Sequence, residues 1–236
     1  MPLDPTWVPF CRELWSSAEQ QQNYLPGVPE GSDLCITPVS SPENHYVRIK
    51  ADNRLEADGT LRGTFTLTAE GQSDSNIRRI FTTGFQSEWK STMERQLLTI
   101  SPKARLLSVD YGKNPKDYQA APIKITFRYE IPDYALKGEG EMFFRPMVMN
   151  NLYNQVRSYL RIDTSVENRK YGFKDGCSRL VELDEMIQLP AGYKLVNAAK
   201  NEMMQGVGAD FEGSLTQKGN KVLLHNRLAL KKRVYE

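Results

Sequence analysis

The tightest constraint on the fold is a turn followed by an alternating run. Asp58-Gly59 lies between Ala57 and Thr60. Asp-Gly accepts the positive φ angles of a tight hairpin turn, so the chain reverses there. Beyond the turn, Leu61, Gly63, Phe65, Leu67 and Ala69 alternate with Thr60, Arg62, Thr64, Thr66 and Thr68. A period of two gives a strand one apolar face and one Thr-rich face. Tyr46, Val47 and Ile49 open the strand before the turn.

The period then lengthens. Ser73 or Asp74 caps a helix that carries Ile77, Ile80 and Phe81, and Gly84 ends it. A second helix spaces Trp89, Met93, Leu97 and Ile100 on one side before Pro102 closes it. That stripe reads as core packing, because burial requires helical spacing on one face. Strands return over residues 105–111, 122–131, 140–145, 170–173, 178–189, 193–196, 209–216 and 221–234. Leu152, Val156, Tyr159 and Leu160 suggest a short helix. Long strands joined by turns argue for antiparallel sheets rather than βαβ units. The expected class is mainly β or α+β: sandwich-like antiparallel sheets, a helical insertion around residues 74–100 and an irregular N-terminal arm.

The arm covers residues 1–43. Prolines and glycines punctuate it, each Pro pushing its predecessor to extended geometry. A short helix fits between Arg12 and Gln22. Trp7, Phe10, Trp15, Tyr24 and Leu25 are too many large apolar groups for a free linker and need a surface. Residues 44–236 form the β-rich body, either whole or as two subdomains dividing near 148.

Composition excludes several functions. Net charge is +2 with the signs interspersed, which leaves no footprint for nucleic acid. The basic cluster Lys231-Lys232-Arg233 is too short to change that. No apolar run reaches membrane-spanning length, and no secretory signal pattern opens the chain. Cys11, Cys35 and Cys177 form no CxxC pair; Cys11 and Cys35 can pair, but three free thiols is the simpler arrangement. With His45 and His225 as the histidines, a structural zinc site is not expected, nor is any cofactor.

The chemistry-bearing patterns are weak. A Cys/His hydrolase needs a nucleophile beside a base, and neither histidine sits in such a signature. Gly206-Val207-Gly208 and Gly138-Glu139-Gly140 read as turns rather than phosphate loops. Among the carboxylates Glu182, Asp184 and Glu185, the first two share a strand face and read as solvated surface. The alternation of residues 60–68 also matches a pore-forming hairpin, though a sheet buried on one face gives the same pattern.

The opening Pro2-Leu3-Asp4-Pro5-Thr6 resembles the segment around the catalytic aspartate of bacterial transglutaminase-like domains of papain-like fold. Ala18-Glu19-Gln20-Gln21-Gln22-Asn23-Tyr24-Leu25, Pro29-Glu30-Gly31 and Pro42-Glu43-Asn44-His45-Tyr46 resemble its continuation in large Bacteroidetes proteins. Arg169-Lys170-Tyr171, residues 177–182 and residues 208–213 are similar to the β-rich C-terminal domain of unknown function in those proteins. The resemblance implies that Asp4 is the remnant of a Cys-His-Asp triad. The family's cysteine and histidine precede that motif, whereas Cys11, Cys35, His45 and His225 follow it. The expectation is therefore a non-catalytic accessory module. It would pack on a transglutaminase-like catalytic domain or bind a surface protein or glycan, in a periplasmic or cell-surface setting implied by the resemblance. Asp4 would be solvent-reachable or structurally paired.

Three rival readings follow. An independent binding module predicts an exposed aromatic platform from Tyr111, Tyr118 or Tyr134. A β-rich membrane-active protein predicts lipid-facing strands. An intact cysteine hydrolase predicts a cysteine within hydrogen-bond reach of His45 or His225.

Overall fold

The computed structural model describes residues 17–118, 122–148, 168–196 and 200–235. In chain order the strands begin with β1 (Asn23–Tyr24), β2 (Cys35–Ile36), β3 (Tyr46–Leu55) and β4 (Leu61–Ala69). Two helices follow, α1 (Gly71–Thr82) and α2 (Trp89–Leu98). Then come β5 (Arg105–Asp110), β6 (Ile123–Ile131), β7 (Leu136–Lys137), β8 (Met142–Phe143), β9 (Phe173–Lys174) and β10 (Arg179–Gln188). The remaining strands are β11 (Glu202–Gln205), β12 (Ala209–Lys218), β13 (Lys221–Leu230) and β14 (Val234–Tyr235).

The central sheet has eight strands in the order β11-β12-β13-β10-β3-β4-β6-β5. The Asp58-Gly59 turn joins β3 to β4, with Leu55 paired to Leu61 and Gly59 at φ +91°. Neighbours are antiparallel except β10 and β3, which run parallel from Leu180↔Tyr46 to Gln188↔Arg54. That pair departs from the all-antiparallel expectation. No hairpin sets the direction of β10, because it enters the sheet after the long stretch 132–178.

One face of the sheet is covered. Ile49, Ala51, Leu55, Leu61, Tyr129, Ile131, Val181, Leu183 and Ile187 form its larger buried cluster. A second cluster joins Ala69, Ile123, Ile125 and Phe127 to Phe81, Trp89 and Met93 from the helices. Burying each of the Val, Leu, Ile, Phe and Met side chains contributes about 1.5–3 kcal/mol. Phe81 and Trp89 meet edge-on at 5.1 Å between ring centroids. The helical insertion and its Trp/Met stripe thus take the expected place, and the layer they supply is helical rather than a second facing sheet. The other face is polar. Arg48 pairs with Glu182, Arg62 with Glu130 at 2.8 Å, and Thr66 meets Thr126 at 3.1 Å.

Several local expectations shift. The N-cap of α1 is Glu70, with no side-chain capping bond. Ser73 Oγ instead donates to His45 O at 2.9 Å, and Asp74 Oδ1 accepts from Ile123 N at 2.7 Å. The start of α1 is buried against the body, so tertiary partners claim the short polar side chains that would otherwise cap it. Residues 193–196 carry no strand, residues 140–145 shrink to Met142–Phe143, and β11 was not anticipated. The last strand breaks after Leu230, and β14 pairs with β9 instead. Between Arg12 and Gln22, a 3-10 turn at Ser17–Glu19 is the described helical element. The helix expected around residues 152–160 lies outside the described residues.

Candidate docking surface and buried polar sites

The described arm is pinned to the body by its glutamines. Gln20 is fully buried, and its Oε1 accepts from Ser40 N at 3.1 Å. Ser178 Oγ donates to Ser40 O at 2.6 Å, which ties the arm to the residue just before β10. Gln20 Nε2 lies 3.3 Å from His45 Nε2, and Gln72 N donates to His45 Nδ1 at 3.1 Å. Gln21, at φ 53°, turns its side chain toward the C-terminus. Its Oε1 accepts from Arg233 N at 2.7 Å and Val234 N at 2.9 Å. Arg233 Nη1 donates to Gln20 O at 2.9 Å. Gln20, buried, and Gln21, half-buried, thus form a polar seam, and Arg233, read as part of a short basic cluster, is one of its anchors. Burial lowers the Arg233 pKa.

The outer side of the arm is apolar. In the β1–β2 hairpin Asn23 pairs with Ile36 and Tyr24 with Cys35. Continuing that register by one step sets Leu25 opposite Leu34, on the face that carries Ile36. Leu25, Leu34 and Ile36 are 66%, 69% and 67% exposed. Leu25 was expected to need a surface; within the described residues its hairpin face has none.

Of the residues weighed for catalysis, the structure describes Cys35, Cys177, His45 and His225. Asp4 and Cys11 lie outside the described residues, as do Trp7, Phe10 and Trp15. Cys35 and Cys177 are free thiols. Cys35 Sγ donates to Asp33 O at 3.7 Å. Cys177 is buried beside Arg179, and burial pushes its thiol pKa up against the pull of that guanidinium. His45 belongs to the arm seam. His225 Nδ1 lies 2.9 Å from Asp184 Oδ1 on the solvated face of the sheet. Among the described residues no group of three or more His, Cys, Asp or Glu is placed to hold a metal ion. No described helix is long and apolar enough to cross a membrane. Tyr111, Tyr118 and Tyr134 form no exposed platform. Tyr111 packs edge-on against Phe81 and Trp89, Tyr118 lies against Arg78, and the Tyr134 hydroxyl donates to Arg145 O.

Glu182 and Asp184 occupy the polar face as expected, but Glu185 does not. It is 1% exposed and sits on the covered face with Leu183 and Ile187. Its Oε1 accepts from Asn53 Nδ2 at 2.7 Å and Met147 N at 3.2 Å, and its Oε2 accepts from Val148 N at 2.9 Å. The Tyr129 hydroxyl donates to Asn53 Oδ1, extending the network across three strands. Burial raises the Glu185 pKa, and the bonds from Val148, Asn53 and Met147 work against that rise. Burial, with the Glu185 charge second, raises the Tyr129 pKa. The sequence carried the signal: by strict alternation a residue one past Asp184 points to the apolar side.

Comparison with curated proteins and with solved structures gives no match. Residues 140–236 match a family described as Domain of Unknown Function with solved-structure structure (DUF3858). The matched span holds β8 to β14, and the parallel β10–β3 pair joins it to the part of the sheet that lies before it.

Proposed function

We propose that this chain is a non-catalytic, β-rich accessory module that docks a transglutaminase-like catalytic domain in a periplasmic or cell-surface setting. One observation carries the reading: the described arm is fastened to the body by Gln20 and Gln21 on one side and bares Leu25, Leu34 and Ile36 on the other. A pinned hairpin loses little further entropy on docking, so its apolar face can contribute most of its transfer free energy to association. Each side chain fully covered contributes about 1.5–3 kcal/mol.

The test is calorimetric titration of the purified chain with a transglutaminase-like catalytic domain. Ile36→Asp is expected to weaken binding by about tenfold or more, since about 1.4 kcal/mol is a factor of ten. Affinity unchanged by both Ile36→Asp and Leu34→Asp would remove the arm from the interface. The same preparations, assayed for amidase and transglutaminase turnover, are expected to show none without the catalytic domain.

A further inference from the structure

The two edges of the eight-stranded sheet are guarded differently. At one edge β5 begins with Arg105, ends with Asp110 and shifts register against β6 between Leu106 and Ser108. Charges and a register break of that kind blunt an edge against further pairing. At the other edge β11 runs Glu202-Met203-Met204-Gln205 in unbroken register with β12, and all four residues are exposed. Met203 and Met204 are 67% and 62% exposed. Among the described residues no strand lies on the outer side of β11. The backbone groups on that side form a template for another strand.

The exposed edge is nevertheless held in place. Just before it, Asn201 Oδ1 accepts from Leu215 N at 3.1 Å. Just after it, Gly206 N donates to Asp210 Oδ1 at 3.3 Å, and Gly206 O accepts from Lys231 Nζ at 3.0 Å. Lys231 and Asp210 are themselves an ion pair at 2.6 Å. A strand fixed at both ends loses little entropy when a second strand joins it.

The β11 sequence fits a second copy of itself. A twofold axis normal to a sheet keeps its faces, and opposite residues in a strand pair share a face. One residue must then lie against its own copy. An axis at Glu202 opposes two like charges, which is destabilising. Axes at Met203 and Gln205 set Met204 against Glu202 and Gly206. An axis at Met204 sets Met204 against Met204, Met203 against Gln205 and Glu202 against Gly206, with no like charges opposed. Within the chain Met204 pairs with Phe211, and Phe211 with Leu228, which packs on the larger buried cluster. The Met204 pair therefore continues the apolar face of one sheet into the other.

We propose that β11 is a self-association edge: two copies of this chain pair antiparallel through β11 about a twofold axis at Met204, joining their eight-stranded sheets. The contact uses no residue of the arm and does not depend on docking there. Four residues a side bury little area, so the dimer is reversible and concentration-dependent.

The experiment is sedimentation velocity on the full chain, 27.0 kDa as a monomer, across a concentration series. The mean mass is expected to rise with concentration toward that of two chains. Met204→Glu and Met204→Lys each oppose like charges at the axis and are expected to weaken association by at least about tenfold. Mixing the two variants opposes unlike charges there and is expected to restore association, and circular dichroism checks that each is folded. A chain that stays monomeric up to about 1 mM, parent-like association of either variant alone, or failure of the mixture to associate would overturn the proposal. So would association kept in Met204→Glu and lost in Ile36→Asp, which would put the contact on the arm face.

Discussion

Replacing Asp74 by Ala should remove the bolt between the helical insertion and the sheet. Asp74 and Arg78 are 1% and 2% exposed, one helical turn apart on α1. Asp74 Oδ2 accepts from Arg78 Nε at 2.6 Å, and its Oδ1 accepts from Ile123 N at the start of β6. Arg78 Nη1 donates to Pro115 O at 3.0 Å and Asp117 O at 2.9 Å, which fastens the loop between β5 and β6. Without Asp74 the guanidinium stays buried without its carboxylate, a change that costs about 3–5 kcal/mol. The Ile123 amide also loses its acceptor, costing about 1–3 kcal/mol. The two terms share one network and do not simply add. A loss of at least about 3 kcal/mol is therefore expected, a large share of the roughly 5–15 kcal/mol that holds a typical domain. Urea unfolding followed by tryptophan fluorescence measures it, since Trp89 packs in the same cluster. Asp74→Asn keeps an acceptor for Ile123 and should lose less. A loss below about 1 kcal/mol in Asp74→Ala, the range of an exposed ion pair, would refute the bolt.

Glu185 gives a pH signature. Its folded pKa is raised above the usual 4.5, so the stability it contributes is fully present below that value and is lost as pH rises through the folded pKa. Unfolding free energies measured across that window should show the advantage of the parent protein over Glu185→Gln growing toward acid; a pH-independent difference would contradict the raised pKa. Gly63→Ala should lower stability by about 1–3 kcal/mol, because a Cβ there would lie 2.0 Å from Asn53 Oδ1 and 2.5 Å from Asp52 O. A melting temperature unchanged in that variant would show that the Asn53 network yields without cost. Leu34→Asp and Ile36→Asp should leave thermal stability within about 0.5 kcal/mol, as surface substitutions do, while weakening docking by about tenfold or more.

Much of the sheet was legible because its signals are local. Alternation over residues 61–69 and 123–131 needs no partner to be read, and Asp58-Gly59 names its own turn. The stripe of Trp89, Met93 and Leu97 likewise declares its buried side through helical spacing alone. Where signals were not local, reading faltered. Ser73 and Asp74 have the chemistry of helix caps, yet His45, Ile123 and Arg78 recruit them. Edge strand β11, four exposed residues long, has no alternation to detect. Of the candidate docking face, Leu25 was visible as a residue too apolar for a linker, whereas Leu34 and Ile36 joined it only through the β1–β2 pairing.

By itself the sequence determined the long strands β4, β6, β10, β12 and β13 and the two helices, because those preferences act within a few residues. It also determined that the covered face would be aliphatic and aromatic. Only the tertiary structure decided that β10 runs parallel beside β3, since that direction depends on a long connection rather than on a turn. It alone decided that Gln20 and Gln21 set their amides against Ser40, His45, Arg233 and Val234, partners up to 213 residues away. A polar side chain has no intrinsic preference that reveals such a place; it is held there because a buried amide must find hydrogen bonds wherever the folded chain supplies them.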